Sequence, residues 1–123
     1  MDTHFFLYPL LTMSRFTRYI ARQLMGYTLG SQANSFNPLV LAKVDDRFGS
    51  ISWYLTEYDP QSRIARAYVK SYAMQGWVTL SIDALDEQRW YGLFRYAFLD
   101  RHFQPKHFKQ LQAQKTATPR TRL

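Results

Sequence analysis

Between Leu39 and Ile82 the chain alternates strand-like runs with links too short to hold a helix. The runs are Leu39–Val44, Ile51–Tyr58, Ile64–Lys70 and Trp77–Ile82. Each is rich in β-branched or aromatic side chains, which suit a pleated, half-buried surface. Between them stand Asp45-Asp46-Arg47-Phe48-Gly49-Ser50, Asp59-Pro60-Gln61-Ser62 and the short Ser71–Gln75 link, with the residues that favour turns. Parallel neighbours need a crossover of about a dozen residues or more. These runs therefore predict an antiparallel sheet. Strand alternation sorts their side chains. Trp53, Leu55 and Glu57 fall on one face of the second run, Tyr54, Thr56 and Tyr58 on the other. Ala65, Ala67 and Val69 oppose Arg66, Tyr68 and Lys70, and Val78, Leu80 and Ile82 oppose Trp77, Thr79 and Ser81. One face reads as aliphatic with Trp53, the other as aromatic and polar.

The flanks add helices. From Ser14, a good N-cap, to Gly26, Phe16, Tyr19, Ile20 and Leu24 recur at helical spacing, while Arg15, Arg18 and Arg22 gather on another face. Residues 30–38 are a loop by composition. Asp83 predicts the cap of a short helix from Ala84 to about Tyr91, and Leu93–Phe103 reads as a last strand or extended edge. The fold class expected is α+β: an antiparallel sheet of four to five strands, an N-terminal helix on one face and a short second helix. Residues 14–105 form the single domain. Residues 1–13 read as an extension with a misassigned start, since Met13-Ser14-Arg15 resembles a translation start; the alternative packs Phe5, Phe6, Leu7 and Tyr8 on the sheet. Residues 106–123 read as a basic mobile tail.

The 123 residues include no cysteine, which removes disulfides and thiolate chemistry and fits a reducing compartment. The longest apolar stretch, Phe5–Met13, is broken by Pro9 and Thr12 and is far short of the ~20 residues of a membrane span. Only Asp2 is charged before it, unlike a secretory signal. A cytoplasmic protein is expected. Net charge is +7, and residues 89–123 hold eight basic residues against Asp100 alone. Such an excess favours nucleic acid, an anionic membrane or an acidic protein partner; the plainer reading is a solvated basic tail that aids solubility.

Three constellations carry candidate chemistry. Glu57 and Asp59, with Asp100 and His102 in an Asp-x-His spacing, would serve a small hydrolase or nuclease as acid/base or metal groups. The plainer reading pairs Glu57 with a neighbouring basic residue and leaves Asp59 in a turn. No glycine-rich phosphate loop, His-Glu-x-x-His or serine elbow is present. No cofactor or metal is expected. The third constellation interleaves Tyr54, Tyr58, Tyr68, Trp77, Trp90, Tyr91 and Tyr96 with Arg66, Lys70, Arg89, Arg95, Arg101, Lys106 and Lys109. Exposed rings flanked by cations stack bases and hold phosphates. The competing reading covers the rings with the N-terminal helix and residues 89–99.

Trp53-Tyr54-Leu55-Thr56-Glu57-Tyr58-Asp59, Gly76-Trp77-Val78-Thr79-Leu80-Ser81 and Asp100-Arg101-His102-Phe103-Gln104-Pro105 together resemble a family of small bacterial proteins of plasmids and other mobile elements, known only as a domain of unknown function. The likeness runs from about Leu24 to Phe108. Leu99 stands where that family usually has arginine, and its members tend to be acidic. The resemblance implies a small α+β fold and a plasmid, phage or integrative-element setting, and no activity. The expectation is a non-enzymatic accessory protein associated with nucleic acid through basic and aromatic surface. The alternative is a module that inhibits or adapts a host defence or replication protein, or binds a protein encoded by the element itself. The sequence does not set the oligomeric state.

Overall fold

A computed structural model describes residues 13–117; the expectations for residues 1–12 and for the last six residues lie outside it. The N-terminal helix α1 is Arg15–Gln23. Ser14 caps it, its Oγ accepting from Thr17 N at 3.1 Å. The strands follow: β1 (Leu39–Val40), β2 (Ala42–Asp46), β3 (Ile51–Asp59), β4 (Ile64–Ser71) and β5 (Gln75–Ser81). Then come helix α2 (Ile82–Glu87), the small hairpin β6 (Arg89–Trp90) and β7 (Phe94–Arg95), β8 (Ala97–Leu99), β9 (Lys106–His107) and helix α3 (Phe108–Ala117). The fold is α+β, as the sequence predicts. Five strands form an antiparallel sheet in the order β5-β4-β3-β2-β8. β1 pairs separately with β9, and β6 with β7.

Three details differ from the sequence reading. Ser81, not Asp83, caps α2, its Oγ accepting from Ala84 N; Asp83 pairs with Arg63 at 3.4 Å. The first run is broken at Leu41, whose N–H donates to Leu55 O, so β1 and β2 are separate strands. The chain beyond Pro105 is built into the fold up to Ala117 as β9 and α3. Phe108 N donates to Pro38 O, and its ring lies 4.7 Å from Tyr68 and 5.0 Å from Trp77.

One face of the sheet carries the core. Phe16, Ile20 and Leu24 of α1 and Ile82 and Leu85 of α2 meet Ala42, Val44, Leu55, Ala65, Ala67 and Ala97. Trp53 packs at the margin of this cluster and is only half-buried, whereas Leu55 is fully enclosed. The face assignment of β3 needs correction in its second half. The β3–β4 register shifts between Leu55 and Glu57, a bulge at Thr56. An extra residue reverses which side chains face inward. Tyr58 therefore lies opposite Ala65 and enters the core, while Glu57 lies opposite Arg66 on the outer face. The bulge is held by the preceding loop: Tyr58 N donates to Tyr27 O at 2.8 Å, and Gln32 Nε2 donates to Thr56 O at 2.9 Å.

Two consequences are testable. Tyr58 Oη is buried without a hydrogen-bond partner among the described residues. An unmet buried hydroxyl costs about 1–3 kcal/mol, so Tyr58→Phe should raise stability by about 1 kcal/mol, read from the urea midpoint; a loss of stability would show the hydroxyl to be satisfied. Asp46 closes the β2–β3 turn by accepting from Ser50 N, Ser50 Oγ and Ile51 N at 2.7–2.9 Å. Burial pushes its carboxyl up, but these donors outweigh burial and hold it below the usual carboxylate range. The ionised form is thus favoured by folding. Its contribution is present above about pH 4 and lost as pH falls through the lowered value. Asp46→Ala should lower stability at neutral pH and flatten its decline on acidification, checked by thermal melts across pH.

Candidate nucleic-acid interface

α1 buries Phe16, Thr17 and Ile20. That fixes the opposite side of the helix outward, with Arg15, Arg18 and Arg22 at intervals of three and four residues. Arg101, in the turn after β8, joins them from a distant part of the chain. Its guanidinium lies 5.0 Å from the centre of the Tyr19 ring. The four arginines and Tyr19 line a shallow cavity of about 460 Å³. Arg15 and Arg101 also line the next depression, with Ser14, Phe16, Arg95, Phe98 and Leu99. Among the described residues, none of the four arginines forms an ion pair. Like charges at helical spacing destabilise each other by about 0.2–0.5 kcal/mol per pair. The positive end of the α1 dipole lies near Arg15 and adds to the field.

The other expected basic residues do not form one surface. Arg95 is neutralised by Asp86, 2.6 Å away, and stacks 4.7 Å from the Phe16 ring. Arg89 donates to Asp86 O and Gln88 O of its own turn. Arg66 lies 5.3 Å from the Trp77 ring on the outer face of the sheet. Lys106 and Lys109 lie against Phe103 and Phe36. Lys70 lines a cleft of about 210 Å³ with Tyr54, Tyr68, Gln75, Phe108, Leu111 and Gln112. Of the seven, Arg101 alone joins the arginine cavity.

The aromatic face is also not the open platform that the sequence suggests. Tyr54, Tyr68 and Trp77 do share it, but Tyr58 is in the core. α1 does not cover these rings; α3 does, through Phe108. Trp90 and Tyr91 meet edge to face at 4.5 Å in the β6–β7 hairpin, which is not part of the main sheet.

The acid/base candidates hold backbone instead of converging. Glu57 is 1% exposed. Its Oε1 accepts from Gly30 N and its Oε2 from Gln32 N, both at 2.8 Å. Asp59 accepts from Ser62 Oγ at 2.7 Å and from Gln61 N, which holds its carboxyl low. Asp100 accepts from His102 N at 3.0 Å and pairs with Lys43 at 3.5 Å. Asp100-x-His102 is therefore a turn, not one strand face, and His102 is exposed. Among the described residues no three His, Asp or Glu side chains come together to hold a metal.

Two participants escaped the sequence reading. Arg15, Arg18 and Arg22 were legible as a helix face, but nothing marked their union with Arg101 and Tyr19. Gln32 carried no signal; its side chain donates to Leu39 O and Thr56 O and accepts from Leu39 N at 2.6 Å. Comparison with family models, curated proteins and solved structures gives no match. The functional reading therefore rests on geometry.

A structural role for Glu57 has a measurable consequence. Glu57→Gln keeps one acceptor and leaves one of the two N–H groups facing an amide donor. Loss of a charge-assisted hydrogen bond in a buried site costs about 1.5–3 kcal/mol. A fall in stability of that size, with far-UV circular dichroism preserved, is expected. Unchanged stability would return Glu57 to the list of chemical groups.

Proposed function

We propose that this protein is a non-enzymatic, nucleic-acid-associated accessory protein, and that it contacts the phosphate backbone through Arg15, Arg18, Arg22 and Arg101. The observation that carries the reading is four arginines around one cavity with no acidic partner among the described residues. At about 1.5 Å per residue, Arg15 to Arg22 spans about 10 Å of helix. Phosphates of one strand recur at about 3.4 Å along a duplex axis, so the row matches about three of them. Guanidinium groups present forked donors that suit phosphate oxygens. The setting on a mobile element follows from the resemblance of the three sequence blocks.

Contacts to phosphate position a protein without reading bases. Binding should therefore be steeply salt-dependent and tolerant of sequence. Each phosphate contact contributes about 0.7 to the logarithmic salt slope for single strands and about 0.9 for duplex. Arg18→Ala combined with Arg22→Ala should flatten the slope by about 1.4–1.8, measured by fluorescence anisotropy with labelled DNA. Both side chains point away from the core, so the melting curve should be preserved. Absence of binding by the unmodified chain at ~50 mM salt would refute the reading, as would an unchanged slope in the variant.

A further inference from the structure

The five-stranded sheet ends on one side in β8, three residues long, and on the other in β5, seven residues long. Among the described residues nothing pairs with the outer edge of β5. A free strand edge presents unpaired N–H and C=O groups, and natural sheets usually guard it with charges, proline or a bulge. Gln75-Gly76-Trp77-Val78-Thr79-Leu80-Ser81 has no charged residue and no proline, and its pairing with β4 is regular throughout. Tyr72 and Met74, just before it, and Trp77 within it are exposed.

We propose that β5 pairs antiparallel with β5 of a second copy of this chain, about a two-fold axis at Val78. A strand paired with itself must be centred on one point, and only a centre at Val78 engages all seven residues. In that register large side chains meet small ones. Leu80 faces Gly76 of the second copy, Trp77 faces Thr79, and Gln75 faces Ser81. Gly76 leaves that room: a Cβ built there would meet nothing within 4 Å. No charge is set against a like charge. The matched sizes and absence of charge favour the chain itself over an acidic or basic strand from another protein.

The pairing has a consequence for the arginine cavity, which rests on the nucleic-acid reading above. Antiparallel strands related by a two-fold axis normal to the sheet keep the same face on the same side. α1 covers the same face in both copies, so both arginine rows look the same way. Two basic rows related by a two-fold axis match the two-fold symmetry of a duplex.

The test uses the full chain without nucleic acid, so its result is independent of the phosphate reading. The chain has no cysteine, so a single Val78→Cys substitution reports whether position 78 meets itself. Directly opposed residues of antiparallel strands have Cα atoms about 4.5–5.5 Å apart, within the about 4.4–6.8 Å of a disulfide. Under mild oxidation Val78→Cys should run as a covalent dimer on a non-reducing gel, while Gln75→Cys, far from its own copy in this register, should run as a monomer. In sedimentation equilibrium Thr79→Glu should weaken dimerisation at least tenfold. It places two carboxylates beside the axis, but in its own chain the exposed position lies opposite Arg66, so folding is retained. A wild-type monomer at about 100 μM, where even weak pairing is populated, overturns the proposal. So does a dimer that is insensitive to Thr79→Glu and shows no preference for cross-linking at position 78. A dimer with these sensitivities that fails to bind DNA supports the β5 pairing and removes only the phosphate reading.

Discussion

The bulge at Thr56 and the carboxylate of Glu57 beneath the loop that precedes β1 determine how both faces of the sheet are used. Without the extra residue, β3 would keep its alternation and drive Glu57 into the core beside Leu55. An unpaired buried carboxylate is costly. With the bulge, Tyr58 fills the core position and Glu57 turns to the outer face, where Gly30 N and Gln32 N meet its two oxygens. The same Gln32 clasps Leu39 and Thr56 through its side chain. Loop 30–38 is thereby pinned across β3, and it delivers Leu39–Val40 to the place where Lys106–His107 pair with them. That pairing sets α3 and Phe108 over the aromatic face. One carboxylate, through one loop, thus links residues from Gly30 to Phe108.

This chain of dependence explains which parts the sequence showed. The strands were legible because β-branched and aromatic residues cluster between turn formers, and the antiparallel arrangement followed from link length alone. α1 was legible from Phe16, Ile20 and Leu24 behind a serine cap. The face reversal at Thr56 was not, because alternation assumes an unbroken period of two. The partners that hold the bulge, Tyr27 and Gln32, lie more than twenty residues earlier, one at the end of the helical pattern and one in a segment that reads only as loop. β9 escaped for the same reason. Lys106 and His107 have no strand character of their own and pair only because Leu39 and Val40 are already positioned. In α3, Phe108 and Leu111 are too few to print a helical stripe.

Charge shows a similar division between count and placement. The C-terminal third holds most of the net charge, and a count alone makes it the electrostatic centre. Placement distributes that charge differently. Arg95 is matched by Asp86, Arg89 is turned onto backbone carbonyls, and Lys106 and Lys109 lie over rings on the side of α3. Of the basic residues in this third, only Arg101 enters the cavity of the α1 row; Arg95 lies in the adjoining depression, already paired with Asp86. The segment with fewer basic residues contributes three arginines to one cavity, because a helix buried along one side projects the other as a unit.

The position of Phe108 bears on what kind of recognition this fold supports. Binding of unpaired strands by an open sheet depends on rings whose faces are free for bases. Here the ring of Phe108, edge-on to Tyr68 and tilted against Trp77, already occupies part of that surface, and α3 is anchored by N–H groups that donate to Pro38 O and Asn37 Oδ1. Access for a base would require α3 and the β1–β9 pair to come away together. The α1 cavity needs no such rearrangement, since its arginines are already outward and without acidic partners. Under the proposed nucleic-acid reading, the arrangement thus accommodates phosphate contact more readily than base stacking. Discrimination among sequences would then have to come from DNA shape or from a partner, because an arginine row along a backbone is indifferent to the bases it passes.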